Sequence, residues 1–259
     1  VYTISHFDLK NGPIVVESPP NTLGMINDMF FRYVTDLGNA GPDRGQGGKF
    51  LVLPPDYEGA VPDGYFVVRS PTYQNIIFWR GFLVDGDPNP AVESIKATTN
   101  LYLLSQADNP PEAVFINWTG KRFNTVHAND FKFFEELNDV IQYEPSEAFE
   151  VQLLGLFKSI GIEKGKDFNP DARLRAILED AVKVGNATAR ALSFSPRNTD
   201  FYLYPNSSWT TAFLGGYQFM INNARELDAR TVFHYIATAV TPAMEIKMVG
   251  VGSQYATSN

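Results

Sequence analysis

The chain has 259 residues, of which 44% are apolar and 14% aromatic, with a formal net charge of −8. Its large apolar surface, with 20 Phe and 12 Tyr, offsets the entropy of ordering the backbone, so a disordered chain is excluded and about two domains are expected. Lys and Arg are scattered rather than clustered against phosphates, which argues against nucleic acid and anionic membrane surfaces as partners, and the absence of cysteine excludes disulfides and thiolate chemistry.

The first hundred residues read as β structure. Pro13–Ser18, Lys49–Leu53, Tyr65–Arg69 and Asn75–Val84 are rich in Val, Ile, Phe and Tyr. Clusters of Pro, Gly, Asn and Asp separate them, and this spacing predicts an antiparallel sandwich or barrel. Pro90–Thr98 is expected to be a short helix, followed by a strand at Leu101–Leu104. No stretch approaches the length of a membrane span.

The period then changes. Phe133, Phe134, Leu137, Val140 and Ile141 follow helical spacing over Asp130–Ile141, with Asn129 as the expected N-cap. A second helix is expected from about Ser146 to Gly161. A third starts with Asn169 as N-cap and Pro170 at the first helical position, and carries Leu174, Ile177, Leu178, Ala181 and Val184. Beyond Ser195, the sequence predicts a strand at Phe201–Tyr204, a helix over Asp228–Ala239 and a strand at Glu245–Val251.

Several stretches carry a family resemblance: Gly41–Tyr73, Phe123–Asn138, Gly161–Arg173, Val184–Leu192 and Leu227–Met244. The chain resembles the paired bacterial families called domain of unknown function 1254 and domain of unknown function 1214. That resemblance implies an α+β, β-rich fold, with an immunoglobulin-like β domain, a helical middle segment and a jelly-roll-like second β domain. In this numbering the parts are 1–110, 111–194 and 195–259. It also implies an exported, periplasmic or secreted cell-envelope protein. Members start upstream of Val1 and continue past the GVGSQY motif. The chain is therefore expected to be truncated at both ends, with a second copy or second chain completing the C-terminal β domain.

No complete catalytic signature is present. His127 lies three residues before Asp130 at a loop-to-helix junction, where the two could act as a general base and its orienting carboxylate. The alternative is that Asn129 and Asp130 cap the helix and His127 bonds a backbone carbonyl. His234 sits on an apolar segment, where a buried, satisfied imidazole is the favoured reading. Three histidines without metal-ligand spacing give no expected metal site, and no cofactor is indicated. The glycine-rich run ending in Gly48–Lys49 lacks the Ser or Thr and the helix that a phosphate loop requires.

Arg69 and Arg190, each beside polar neighbours, could clamp a carboxylate or sulfate, with internal ion pairing as the competing use. The aromatic stretch Phe201–Phe219 contains Tyr204, Trp209 and Tyr217, which would form a stacking platform for sugars if exposed, and core if not. Two functions stay open on these residues. One is a β-scaffold protein binding a small molecule or glycan, through Arg69, Tyr204, Trp209, Tyr217 and His234. The other is a hydrolase or lyase acting on a carbohydrate or small ester, with His127 as base, Asp130 as its orienter and Arg190 as anion clamp.

Overall fold

A computed structural model describes residues 1–122, 124–245 and 255–258. The protein is α+β. The chain divides into two compact units, Val1–Lys121 with the stretch from Val240, and Arg122–Ala239 with the stretch after Gln254. The helical segment expected at 111–194 and the C-terminal part from residue 195 thus fall largely within one unit.

The first unit is built from strands β1 (Tyr2–Asp8), β2 (Ile14–Ser18), β3 (Thr22–Asp28), β4 (Tyr33–Gly38), β5 (Gly48–Leu53), β6 (Phe66–Arg69) and β7 (Gln74–Gly81). Helix α1 (Asn89–Thr98) and strand β8 (Asn100–Leu103) complete it. The strands form two four-stranded sheets, ordered β1-β7-β3-β4 and β6-β5-β2-β8. All pairings are antiparallel except β5 with β6.

Period-2 alternation explains how the sheets face each other. Phe7, Ile26, Leu37, Ile77 and Trp79 from one sheet meet Ile14, Val16, Phe50 and Val52 from the other in a single buried cluster. Each such side chain contributes roughly 1.5–3 kcal/mol by leaving water. The odd positions of β2 and β5 are covered as well. Val15, Leu51 and Leu53 pack with Tyr102 under Tyr57, Tyr65 and Leu104, so these strands read as continuous apolar runs. Gly24 is required by a close approach, because a Cβ there would lie 2.8 Å from Trp79 Cδ1.

Strands β3 and β4 are absent from the sequence-based expectations. Turn-forming residues at both ends of Thr22–Asp28 mask a strand that tertiary pairing stabilises. The segment after Ala239 is also tied into this unit. The Asn27 Nδ2 donates to the Val240 carbonyl at 2.8 Å, and the Val240 N–H donates to Asn27 Oδ1 at 2.9 Å. The Thr241 hydroxyl donates to the Asp36 carboxylate on β4.

The second unit contains α2 (Lys132–Tyr143), α3 (Val151–Ser159) and α4 (Ala172–Phe194), which bury Phe131, Phe134, Ile141, Ile162, Leu178 and Val182 in one core. Two cap assignments are corrected. Asp171, not Asn169, caps α4, accepting from the Leu174 N–H at 2.7 Å. Phe131, not Asn129, holds the cap position of α2.

After α4 come β9 (Thr210–Thr211), β10 (Met220–Ile221), β11 (Ala224–Arg225), α5 (Leu227–Ile236), α6 (Pro242–Glu245) and β12 (Ala256–Thr257). Of these, α6 belongs to the first unit. The strand expected at Phe201–Tyr204 is instead the end of a 3-10 turn, followed by a single bridge between Tyr202 and Thr210. The strand expected at Glu245–Val251 falls, apart from Glu245 at the end of α6, outside the described residues.

Candidate functional site

The glycine-rich loop after β4 is folded on itself. Asp43 is buried and accepts the Gly38 N–H at 2.8 Å and the Gly47 N–H at 3.2 Å. Burial pushes the Asp43 carboxyl above its usual range, and these amide bonds pull partly against it. The loop's amides are thus directed at their own carboxylate rather than at an external anion.

Arg69 has a structural task as well. Its guanidinium donates to the carbonyls of Pro54 at 2.8 Å, Pro55 at 3.1 Å and Tyr57 at 2.8 Å. This fan of bonds pins the loop that follows β5, the internal use of Arg69 that competes with anion binding, and it engages Nη1 and Nη2.

Of His127, Asp130 and Arg190, only Arg190 lines the α4 cleft. Asp130 Oδ1 accepts the Lys132 N–H at 3.0 Å and the Asp130 carbonyl accepts the Phe133 N–H, so this residue opens α2. The exposed His127 ring lies 6.3 Å from the Tyr235 ring in an edge-on arrangement. Neither lines the cavity that Arg190 lines. His234 is half-buried, with Phe219 and Phe233 edge-on to it at 5.8 and 5.2 Å. Burial first, and the Arg230 charge second, lower its pKa to about 4, so it is a neutral packing element at physiological pH. Among the described residues no group of three or more His, Asp or Glu could hold a metal ion.

Tyr204 and Trp209 share a tight hairpin. The Leu203 N–H donates to the Trp209 carbonyl at 2.9 Å, and the Trp209 N–H donates to the Ser207 hydroxyl. Both rings are largely exposed, at 61% and 48%. Tyr217 is half-buried further along, its hydroxyl accepting from Gln218.

Arg190 lies in a different setting. It lines an open cleft of about 570 Å³ on one face of α4, within the volume range of small-molecule sites. Lys183, Asn186, Ala187, Ala191 and Phe194 line it from the same helix, and Asn129 faces them from the turn before α2. The spacing is i, i+3, i+4, i+7, i+8 and i+11, one stripe of a 3.6-residue helix.

Several other basic side chains of this unit have carboxylate partners, while Lys164 donates to the backbone carbonyls of Ile141, Gln142 and Glu144. Arg175 pairs with Glu179, Arg197 with Asp228, Arg225 with Glu150, and Lys158 and Lys166 with Glu163. Lys183 and Arg190 have none among the described residues, and no acidic side chain lines the cleft. Chemically, this is a wall of two cations, two carboxamides and an exposed ring, suited to an anion that also carries hydrogen-bonding groups. The sequence-based reading singled out Arg190 but not Lys183, Asn186 or Phe194, which share its cleft. Their helical spacing from Arg190 was the available signal.

The comparisons with known proteins bear on the fold. Architecturally the chain belongs with α+β proteins that begin in a β-sandwich. It superposes on the crystal structure of the VPA0106 protein from Vibrio parahaemolyticus with a TM-score of 0.64 at 19% sequence identity. The match covers 94% of this chain and 58% of that one, so the chain spans under two thirds of that protein's length. Residues 1–103, essentially the whole sandwich, match the family described as protein of unknown function (DUF1254). No curated protein matches the chain.

Proposed function

We propose that this protein binds a small organic anion in the α4 cleft and works by binding rather than by catalysis. One observation carries the reading. On a protein of net charge −8, two cations line one cleft that, among the described residues, offers them no carboxylate partner and is lined by no acid. Arg190 can engage a carboxylate with two parallel N–H donors, Lys183 adds a second point of charge, and Asn129 and Asn186 can both donate and accept. Ala187, Ala191 and Phe194 supply the apolar wall against which the body of a ligand packs.

The geometry favours this over hydrolysis. His127 and Asp130, the pair that would supply acid–base chemistry, do not line the cleft that Arg190 lines, and Asp130 accepts the Lys132 N–H at the start of α2. A general base must lie within hydrogen-bond reach of the group it deprotonates.

Ligand-observed NMR with uronic acids, their methyl esters and uncharged sugars tests the proposal. The acids are expected to bind and the esters to bind at least tenfold more weakly. The Arg190→Gln variant should lose a similar factor for the acids while keeping its melting temperature. Equal binding of acid and ester, or an unaffected Arg190→Gln, would falsify the assignment.

A further inference from the structure

Resting on the reading of the α4 cleft as an anion site, we infer that its ligand class is a linear acidic oligosaccharide, gripped at two carboxylates by Lys183 and Arg190. The two cations are seven residues apart on one helix, which separates their backbone origins by about 10 Å along the axis. Asn186 occupies the same stripe between them. To converge on a single carboxylate, both long side chains would have to fold over that carboxamide and fix many rotors. An extended ligand with two charges leaves each side chain near its own turn.

The order along the stripe describes the ligand. It runs cation at Lys183, carboxamide at Asn186, cation at Arg190 and exposed ring at Phe194, with Asn129 facing it from the other wall. In a flat, diequatorially β-1,4-linked uronate chain every second sugar presents the same edge. The carboxylates of sugars one and three therefore face one wall, one disaccharide repeat apart, a distance comparable with two turns of helix. The hydroxyls of the middle sugar then fall beside Asn186, and the hydrophobic face of a sugar ring can stack on Phe194, which is 56% exposed. The small side chains of Ala187 and Ala191 leave room for the chain to lie close to the helix.

The second contact made by an already anchored ligand is intramolecular, so affinity should step up sharply once a chain is long enough to reach both cations. The test is isothermal titration of the whole chain with β-1,4-linked mannuronate oligomers of one to four residues, with cellotriose as the uncharged control. The trimer is expected to bind at least tenfold tighter than the dimer, and the tetramer little tighter than the trimer. Lys183→Gln and Arg190→Gln should each reduce the trimer to the level of the dimer, with unchanged helical content by circular dichroism. Lys132→Gln, whose lysine is paired with Glu136 at 3.2 Å, serves as the charge-matched control and should change nothing.

If the monomer binds as tightly as the trimer, the two-point spacing is overturned and the simpler anion site survives. If no uronate binds at any length, or cellotriose binds equally well, both readings fail together.

Discussion

His234 makes the stability of the second unit depend on pH in a way that can be worked out from the structure. Its ring is packed against Phe219 and Phe233, and burial, aided by the Arg230 charge one turn earlier on α5, lowers its pKa from 6.5 to about 4. Between those values the unfolded chain binds a proton that the folded chain refuses. The stabilisation is therefore complete above about pH 6.5 and is lost as the pH falls through the window. At pH 5 the unfolded imidazole is almost fully charged and the folded one almost wholly neutral, a loss of about 2 kcal/mol relative to pH 7.5. Only three histidines exist, so an imidazole-carbon NMR titration resolves each directly. His234 should stay neutral down to about pH 4, and His234→Gln should remove about 2 kcal/mol of acid sensitivity from urea unfolding. A His234 resonance that titrates near 6.5, or a variant with undiminished acid sensitivity, refutes the argument.

Asp36 on β4 works in the opposite sense in the first unit. Burial raises its pKa from 3.8 to about 6, against the opposing bonds from Thr241 and Tyr33. The folded state therefore binds the proton first, and acidification from pH 7 to 5 should stabilise this unit by about 1 kcal/mol. Asp36→Asn should abolish that gain in unfolding experiments at the two pH values. Asn27 is fully buried and its amide satisfies both the N–H and the carbonyl of Val240. Asn27→Ala should cost about 2–4 kcal/mol, because two buried backbone groups lose their partners. A loss below 1 kcal/mol in chemical denaturation would show that the Val240 segment is not held there.

How far the sequence reached differs by element, for physical reasons. The strands at β2, β5, β6 and β7 and the helices α1 to α5 carry their own signals, since apolar periodicity and turn chemistry are local properties. Strands β3 and β4 do not. Gly24 weakens the local case for β3, and the close approach of Trp79, the Phe78 carbonyl and Leu37 from the neighbouring strands explains its presence. The cap of α4 shifted by two residues because Asn169 and Asp171 are equally good capping chemistries and backbone geometry selects between them, whereas at α2 the cap position falls on Phe131 and Asp130, one residue earlier, accepts the Lys132 N–H.

The same division governs the site. Composition left internal ion pairing of Arg190 open as the competitor to anion binding, since 29 acidic side chains are present beside 21 basic ones. Charge counting treats Arg69 and Arg190 alike, yet the folded chain spends the first on three carbonyls and leaves the second facing a cleft. An exposed cation without a partner costs almost nothing, because surface ion pairs contribute only about 0–1 kcal/mol. The lack of a partner is therefore informative only in context. Here two such cations recur on one stripe of one helix, with carboxamides beside and opposite them and a ring at the end. The core of this unit takes Leu178 and Val182 from α4, neither of which lines the cleft. A helix face that the core leaves alone, and that collects cations on an acidic protein, is what the proposed anion site requires.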